Sequence, residues 1–264
     1  MKKVRLDQLI YDLGYAESRE RAKTTVMSGL VFVNGQRADK PGMAVDPEAK
    51  IEVRGAAIPF VSRGGFKLDK ALKVFPVDPA RKTCIDCGAS TGGFTDVLLQ
   101  HGASKVYAVD VGYGQLAWKL RTDDRVVNLE RTNLRYVTDE QIPELLDLAV
   151  MDVSFISIKL VLPAVKAILK PEADLICLIK PQFEAGREEV GKKGVVRDRE
   201  VHLKVVRDIL DFAPTIGFTV MGLDYSPIKG PEGNIEYICH MKNGVHSAGE
   251  IDAAGVVVAS HEAF

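Results

Sequence analysis

The sequence predicts an α/β protein: a mostly parallel sheet with helices on both faces, preceded by a small α+β module. Three observations carry this expectation. Thr83–Phe94, TCIDCGASTGGF, passes from an apolar strand through a glycine-rich turn into a helix. Beyond it, apolar strands alternate with helical stretches, and polar residues recur at strand ends as Asp86, Asp110, Asp152 and Lys180. Before it, two short helical stretches and an Asn34-Gly35 turn have the scale of a separate unit. Strand–helix alternation implies a parallel sheet covered on both faces, and such sheets bind ligands at the carboxyl ends of their strands. The expected division is residues 1–57 and 58–264, with Gly55–Pro59 as the linker.

In chain order, Leu6, Leu9, Ile10 and Leu13 recur at helical spacing and Gly14 ends the run. Ser18 is an N-cap for a second helix, with Ala22, Val26 and Met27 inward and Gly29 closing it. Leu30–Val33 is a strand, Asn34-Gly35 a hairpin turn, and Val45, Ile51 and Val53 continue a small β-meander. Arg5, Arg19, Arg21, Lys23, Arg37 and Lys40 gather around the helices and hairpin, with acidic neighbours that also fit an ordinary mixed-charge face. Phe60–Leu72 suits a helix with Phe66, Leu68 and Leu72 inward. Arg63, Lys67, Lys70 and Lys73 then form a basic edge or a solvated face.

In the larger part, the first strand is followed by strands at Val106–Asp110, Val126–Leu129, Leu148–Asp152 and Leu175–Lys180. Ile158–Leu169 is helical, with Pro163 kinking or delimiting it. Val201–Phe212 is amphipathic, with a stripe of Val201, Val205, Ile209 and Phe212, and Phe218–Leu223 and Ile235–Met241 close the sheet. Gly186–Asp198 is polar and glycine-punctuated, either a mobile loop over the site or a plain connection. The stretch from Asn243 onward shows little pattern and receives no role.

The turn reads Asp86-x-Gly88-x-Ser90-x-Gly92-Gly93-Phe94. This is neither G-x-G-x-x-G nor a phosphate-cradling P-loop, so the ligand is one held without pyrophosphate. S-adenosylmethionine (SAM) fits, with its aminoacyl part near Asp86. A glycine turn that only joins strand to helix fits the same residues. Asp110 stands where an α/β nucleotide site places the acid that accepts hydrogen bonds from ribose hydroxyls, a feature shared with NAD sites. Glu130–Arg135 follows the third strand, and Asn133 is the candidate beside adenine.

Composition narrows the classes. Thirty-five Lys and Arg against 36 Asp and Glu leave a formal charge of −1, so RNA contact must come from a local patch rather than a basic coat. No apolar run approaches the roughly 18 residues of a membrane span. Asp7 and Asp12 interrupt the basic start, which is not a signal peptide. A cytoplasmic protein without membrane contact is expected. Cys84 and Cys87 form a C-x-x-C without a second ligand pair, and Cys177 and Cys239 are isolated in apolar strands, so all four are core residues and no metal is expected.

The pattern from Arg5 through Ser18, Arg19, Ala22, Gly29, Val31, Val33, Asn34 and Gly35 to Lys40 and Pro41 resembles the S4 RNA-binding domain. Such domains hold structured RNA through phosphates and shape. The resemblance makes Arg5, Arg19, Arg21, Lys23, Arg37 and Lys40, with Arg63 beyond them, the expected RNA contacts. The motifs SRGGFKL, DCGASTGGFTD, MDVSFIS, IKPQFE and GNIEY, placed after this module, resemble the TlyA family. The larger domain of that family is similar to FtsJ-type ribose 2′-O-methyltransferases. The resemblance implies a Rossmann-like SAM-dependent sheet and methylation of cytidine 2′-hydroxyls in ribosomal RNA or ribosomal subunits. It also implies a Lys-Asp-Lys-Glu tetrad at Lys67, Asp152, Lys180 and Glu236.

In that tetrad Lys180 is the expected base. A lysine doing this must shed its proton near neutral pH against an intrinsic pKa near 10.4. A second ammonium about 4 Å away repels by about 4 kcal/mol at an effective dielectric of 20, and Lys67 is placed to supply it or to bind the oxygen as its charge grows. Asp152 and Glu236 oppose proton loss, so their expected part is to position the two lysines. The competing classes are a dehydrogenase, which the loop spacing disfavours; a non-catalytic RNA-binding or assembly factor, which the complete tetrad disfavours; and a lytic protein of the kind the name haemolysin in this family implies, for which the sequence has no basic amphipathic helix.

Overall fold

The computed structural model describes every residue except Met1, Lys2, Glu17, residues 55–58 and Lys192. Gly55–Ile58 of the expected linker, and with them the expected division after Ala57, lie outside the described residues. The chain forms two compact units, Met1–Gly65 and Phe66–Phe264.

The first unit contains β1 (Val4–Arg5), α1 (Leu6–Asp12), α2 (Arg19–Met27), β2 (Val31–Val33), β3 (Gln36–Ala38), β4 (Ala44–Val45) and β5 (Ile51–Val53). Ser18 caps α2, its Oγ accepting a hydrogen bond from the Arg21 N–H at 3.1 Å. Asn34 and Gly35 both have positive φ, 50° and 79°, the geometry whose twist suits a two-residue hairpin. The strands do not form a meander: β2 lies between β3 and β5, and β1 pairs separately with β4. Strands of two or three residues carry too few ladder bonds to fix their order. Burial of Val31, Val45 and Ile51 against Leu6, Ile10, Ala22 and Val26 fixes it instead.

The second unit runs α3 (Gly65–Val74), β6 (Thr83–Cys87), α4 (Gly93–Gln100), β7 (Lys105–Val109), α5 (Trp118–Arg121), β8 (Val126–Leu129), β9 (Leu146–Met151), α6 (Leu162–Ala167), β10 (Leu169–Ile179), α7 (Pro181–Glu184), α8 (Arg199–Thr215), β11 (Phe218–Tyr225), β12 (Tyr237–Asn243) and α9 (Ala253–Ala263). Its sheet has the order β11-β12-β10-β9-β6-β7-β8. Strands β10, β9, β6, β7 and β8 are mutually parallel, and β12 is antiparallel to both neighbours. The chain leaves β6 toward β7 and β8, then returns to place β9 on the other side of β6. A crevice opens at such a reversal, at the carboxyl ends of the strands.

Local departures from expectation have local causes. Helix α3 starts at Gly65, five residues later than the apolar pattern proposes. Ile158–Leu169 splits into a short 3-10 turn, helix α6 and the first residue of β10, with Pro163 in the first turn of α6 where its missing N–H costs nothing. The buried side of α8 is His202, Val205, Val206, Ile209 and Ala213, while Val201 and Phe212 stand at its margin. The unassigned tail forms α9, which buries Val257 and Ser260.

Gly88 connects this frame to the site. Its φ is +87°, and a Cβ there would lie 2.8 Å from the Asp152 carbonyl oxygen. Replacing Gly88 by Ala should destabilise the protein by about 2 kcal/mol or more. The expected readout is a melting temperature lower by several degrees; an unchanged one would show that the loop accommodates a side chain.

Candidate active site

Four charged side chains from four segments meet at the carboxyl end of the sheet. Asp152 follows β9, and its N–H donates to the Cys87 carbonyl at 3.0 Å. Lys67 of α3 donates to Asp152 Oδ2 at 3.3 Å and to Glu236 Oε2 at 2.6 Å. Lys180, at the end of β10, pairs with Asp152 Oδ1 at 2.5 Å and donates to Ser154 Oγ at 2.9 Å. Gln182 Nε2 donates to Glu236 Oε1 at 3.3 Å. The order Glu236–Lys67–Asp152–Lys180 alternates in sign, and both lysines and Glu236 are buried.

This arrangement sets the two lysines apart. Burial pulls the pKa of Lys67 down, but the carboxylates of Asp152 and Glu236 outweigh it and hold the group above its ordinary value. Burial likewise pushes Asp152 up, and Lys67 and Lys180 together bring it below the usual carboxylate range. Lys180 faces one carboxylate and a hydroxyl. The expected basic edge does not exist: Lys67 turns inward, Lys70 donates to Asp224 Oδ1 at 2.8 Å and the Tyr225 carbonyl at 2.7 Å, and Lys73 pairs with Asp69 at 2.7 Å. A charged residue on a helix turns inward where partners are buried to meet it, which helical spacing alone does not reveal.

The glycine turn lies between β6 and α4. Asp86 is 1% exposed; its Oδ2 accepts from Thr95 N at 2.8 Å and Thr95 Oγ1 at 2.7 Å, while its Oδ1 is buried without a hydrogen-bond partner. Burial raises Asp86 to about 7, against the opposing bonds from Thr95. Gly92 caps α4 in a left-handed conformation, Gly93 opens the helix and Phe94 is buried behind it. Asp110, after β7, accepts from Ser90 N at 2.8 Å and Gly112 N at 2.6 Å, and Ser90 Oγ donates to Gln115 Oε1 at 3.1 Å. Asn133 is exposed beyond β8, and its Oδ1 accepts from Arg135 N at 3.1 Å.

Several neighbours were not legible in the sequence. Phe155 has φ +63° and is 91% exposed, its ring 5.1 Å from that of Phe183. Glu184 accepts from Ser157 Oγ at 2.6 Å and Ile158 N at 2.8 Å. Ser154, Gln182 and Glu184 carry only the weak signal of lying in the motifs that supply Asp152 and Lys180. Gly186–Asp198 is not a loose connection in its described part: Val195 and Val196 are buried, and Asn234 bonds to Gly194 O at 2.9 Å and Val196 N at 3.1 Å.

In the first unit, Arg5 pairs with Asp7 at 2.9 Å, and Arg19 approaches the same carboxylate at 3.9 Å. Arg21 donates to the Phe60 carbonyl at 3.2 Å and Lys23 pairs with Glu20 at 2.9 Å. Arg37 and Lys40 are exposed, and Arg63 is half-buried. All four cysteines are free and buried. Among the described residues, no cluster of His, Cys, Asp or Glu has the makings of a metal site, and no helix is long and apolar enough to cross a membrane.

Asp86 gives the site a pH signature. Its folded pKa is raised, so its stabilising contribution is complete below the ordinary carboxylate range, near 4, and is lost as pH rises toward 7. The three-unit difference amounts to about 4 kcal/mol. Asp86→Asn keeps an acceptor for Thr95 and removes the charge. In ligand-free protein, its urea midpoint relative to wild type should rise between pH 5 and pH 8. A pH-independent difference would refute the raised pKa.

Comparison with known proteins follows the same division. The model of the FtsJ-like methyltransferase family matches residues 60–243, and that of the S4 domain matches residues 4–51. Protein YqxC of Bacillus subtilis is 52% identical over 241 residues, covering 91% of this chain and 86% of its own. The 16S/23S rRNA (cytidine-2′-O)-methyltransferase TlyA of Mycobacterium tuberculosis is 43% identical over 264 residues, covering 100% of this chain and 98% of its own. A solved structure from Streptococcus thermophilus has a TM-score of 0.78 and 47% identity, covering 100% of this chain and 97% of that one.

Proposed function

The chain belongs to the FtsJ-like methyltransferase family and carries an S4 domain, and on that premise we propose that it methylates cytidine ribose 2′-hydroxyls of ribosomal RNA with SAM as donor. The observation that carries this reading is the buried Glu236–Lys67–Asp152–Lys180 chain at the carboxyl end of a parallel sheet, beside the glycine turn.

The residues around the turn suit the donor. Asp86 Oδ1 is an unpartnered acceptor for an ammonium group, Asp110 suits ribose hydroxyls, and Asn133 lies on the adenine side. Gly88, Ser90, Gly92, Gly93 and Phe94 are the proposed wall of the donor site, on a turn kept tight by glycines at Gly88 and Gly92, where a Cβ would meet Asp152 or Leu116 and Leu120. When bound, SAM supplies an electrophilic methyl group on a sulfonium sulfur. The remaining work falls to the protein. A ribose hydroxyl must lose its proton as its oxygen attacks, and Lys180 Nζ, as the neutral amine, takes that proton. Lys67 stays charged between Asp152 and Glu236 and offsets negative charge growing on the oxygen. Holding both reactants in line supplies a further share of the rate, about 7–11 kcal/mol in well-oriented cases.

Arg5, Arg19, Arg21, Lys23, Arg37, Lys40 and Arg63 are the proposed phosphate contacts of the first unit. Asp7 already neutralises part of Arg5 and Arg19, and Glu20 part of Lys23. The setting is the cytoplasm, where ribosomal subunits are assembled.

Incubation with labelled SAM and purified ribosomal subunits should place label on cytidine ribose. Lys180→Ala should lower transfer by at least about 100-fold while SAM affinity stays within about twofold. Undiminished transfer would remove Lys180 from the mechanism, and unlabelled ribosomal RNA with wild-type protein would overturn the function.

Phe155 presents an exposed aromatic ring, next in sequence to the Ser154 that bonds Lys180. A nucleobase stacked on it would gain about 1–3 kcal/mol. Phe155→Ala should therefore weaken transfer at subsaturating RNA by about 5-fold to 100-fold, with Phe155→Trp close to wild type. Equal rates in all three proteins would exclude stacking.

A further inference from the structure

Lys180 has two polar neighbours of different kinds. Asp152 Oδ1 pairs with it at 2.5 Å from the half-buried end of β9. Ser154 Oγ accepts from it at 2.9 Å, and Ser154 is exposed. The loop that brings this hydroxyl in is fixed at both ends. Asp152 N holds the Cys87 carbonyl at 3.0 Å, and both oxygens of Glu184 hold Ser157 Oγ and Ile158 N at 2.6 and 2.8 Å. Between these anchors Phe155 adopts φ +63°, a region that non-glycine residues rarely occupy. Two anchors and an unfavourable turn thus press a serine hydroxyl against the lysine from the solvent side.

A ribose 2′-hydroxyl is the same functional group. To give its proton to Lys180 it must reach the same hydrogen-bond distance, also from the solvent side, because the other side is filled by Asp152. We propose that Ser154 is a positioning residue for methyl transfer: its hydroxyl, as a second partner beside Asp152, holds Lys180 Nζ toward the solvent side from which the ribose hydroxyl arrives. This role presupposes the transfer proposed above. Without Ser154 the ammonium keeps only Asp152 and settles on it, out of line with an incoming hydroxyl. The loss then falls on the transfer step and on neither ligand's affinity, because Ser154 is not part of the glycine turn and its bond is to the lysine.

Single-turnover methyl transfer to ribosomal subunits, at saturating SAM and RNA, tests this in wild type, Ser154→Ala and Ser154→Thr. The Ala variant should be slower by about tenfold, with dissociation constants for SAM and subunits within about twofold of wild type. The Thr variant, which restores a hydroxyl, should recover to within about threefold of wild type. The inference fails if Ala matches wild type, if its slower rate is accounted for by weaker binding, or if Thr is no faster than Ala. A wild-type protein that transfers no methyl would remove the function and this inference together, whereas an active wild type with an equally active Ala variant removes this inference alone.

Discussion

One carboxylate holds two ammonium groups in this protein, one on each oxygen. Asp152 meets Lys67 through Oδ2 and Lys180 through Oδ1, and the rest of the second unit is arranged to make that meeting possible. Buried ion pairs are weak sources of stability, because desolvation offsets most of the attraction, yet leaving one charge unpaired is costly. The network ties four segments of the second unit together. Its charges balance only as a set: without Asp152 two cations would lose their shared counter-charge, and without Glu236 the set would carry an excess positive charge.

The sheet topology explains how distant residues reach one point. Parallel pairing of β9 and β10, with Cys177 opposite Met151, brings Asp152 and Lys180 out at the same edge. Strand β12 runs the other way, with Tyr237 opposite Ile179, so its beginning lies beside the end of β10. Glu236 therefore joins the site from the start of a strand. Helix α3 adds Lys67 from a turn whose Leu68 and Ala71 are fully buried, which fixes the helix's rotation. The glycine turn is coupled to the same point, since Gly88 leaves room for the Asp152 carbonyl and no more. The glycine turn and the charged chain thus share a backbone contact.

This geometry also explains what the sequence revealed. Asp86, Asp110, Asp152 and Lys180 were legible as a site because parallel strands end on one side, so a polar residue after each apolar run is informative. Glu236 precedes its strand, and only the family resemblance pointed to it; polarity alone assigns it to the opposite edge unless β12 is known to be antiparallel. Phe155 in an apolar-looking run reads as core, and its exposure depends on a positive φ that the sequence does not announce. His202 was passed over between Val201 and Val205, yet it is buried and bonded to the Tyr237 hydroxyl at 2.8 Å and the Val196 carbonyl at 3.0 Å. The mistaken meander has the same origin, since non-local burial rather than chain order chose the partners of two- and three-residue strands.

The sequence reading makes Lys180 the expected base and Lys67 the cation that repels it or binds the oxygen, with the acids positioning both. The structure tells the two lysines apart by their neighbours. Lys67 lies between two carboxylates, and its proton is held more firmly than in water despite burial. Lys180 shares one of those carboxylates and turns its remaining contact to a neutral hydroxyl. Mutual repulsion is not needed to tell them apart, because Asp152 screens each ammonium from the other. The difference lies in Glu236, which is fully buried and placed to bond Lys67, with Gln182 holding its second oxygen. Glu236 therefore marks the difference between the two lysines: it gives Lys67 a second carboxylate that Lys180 does not share.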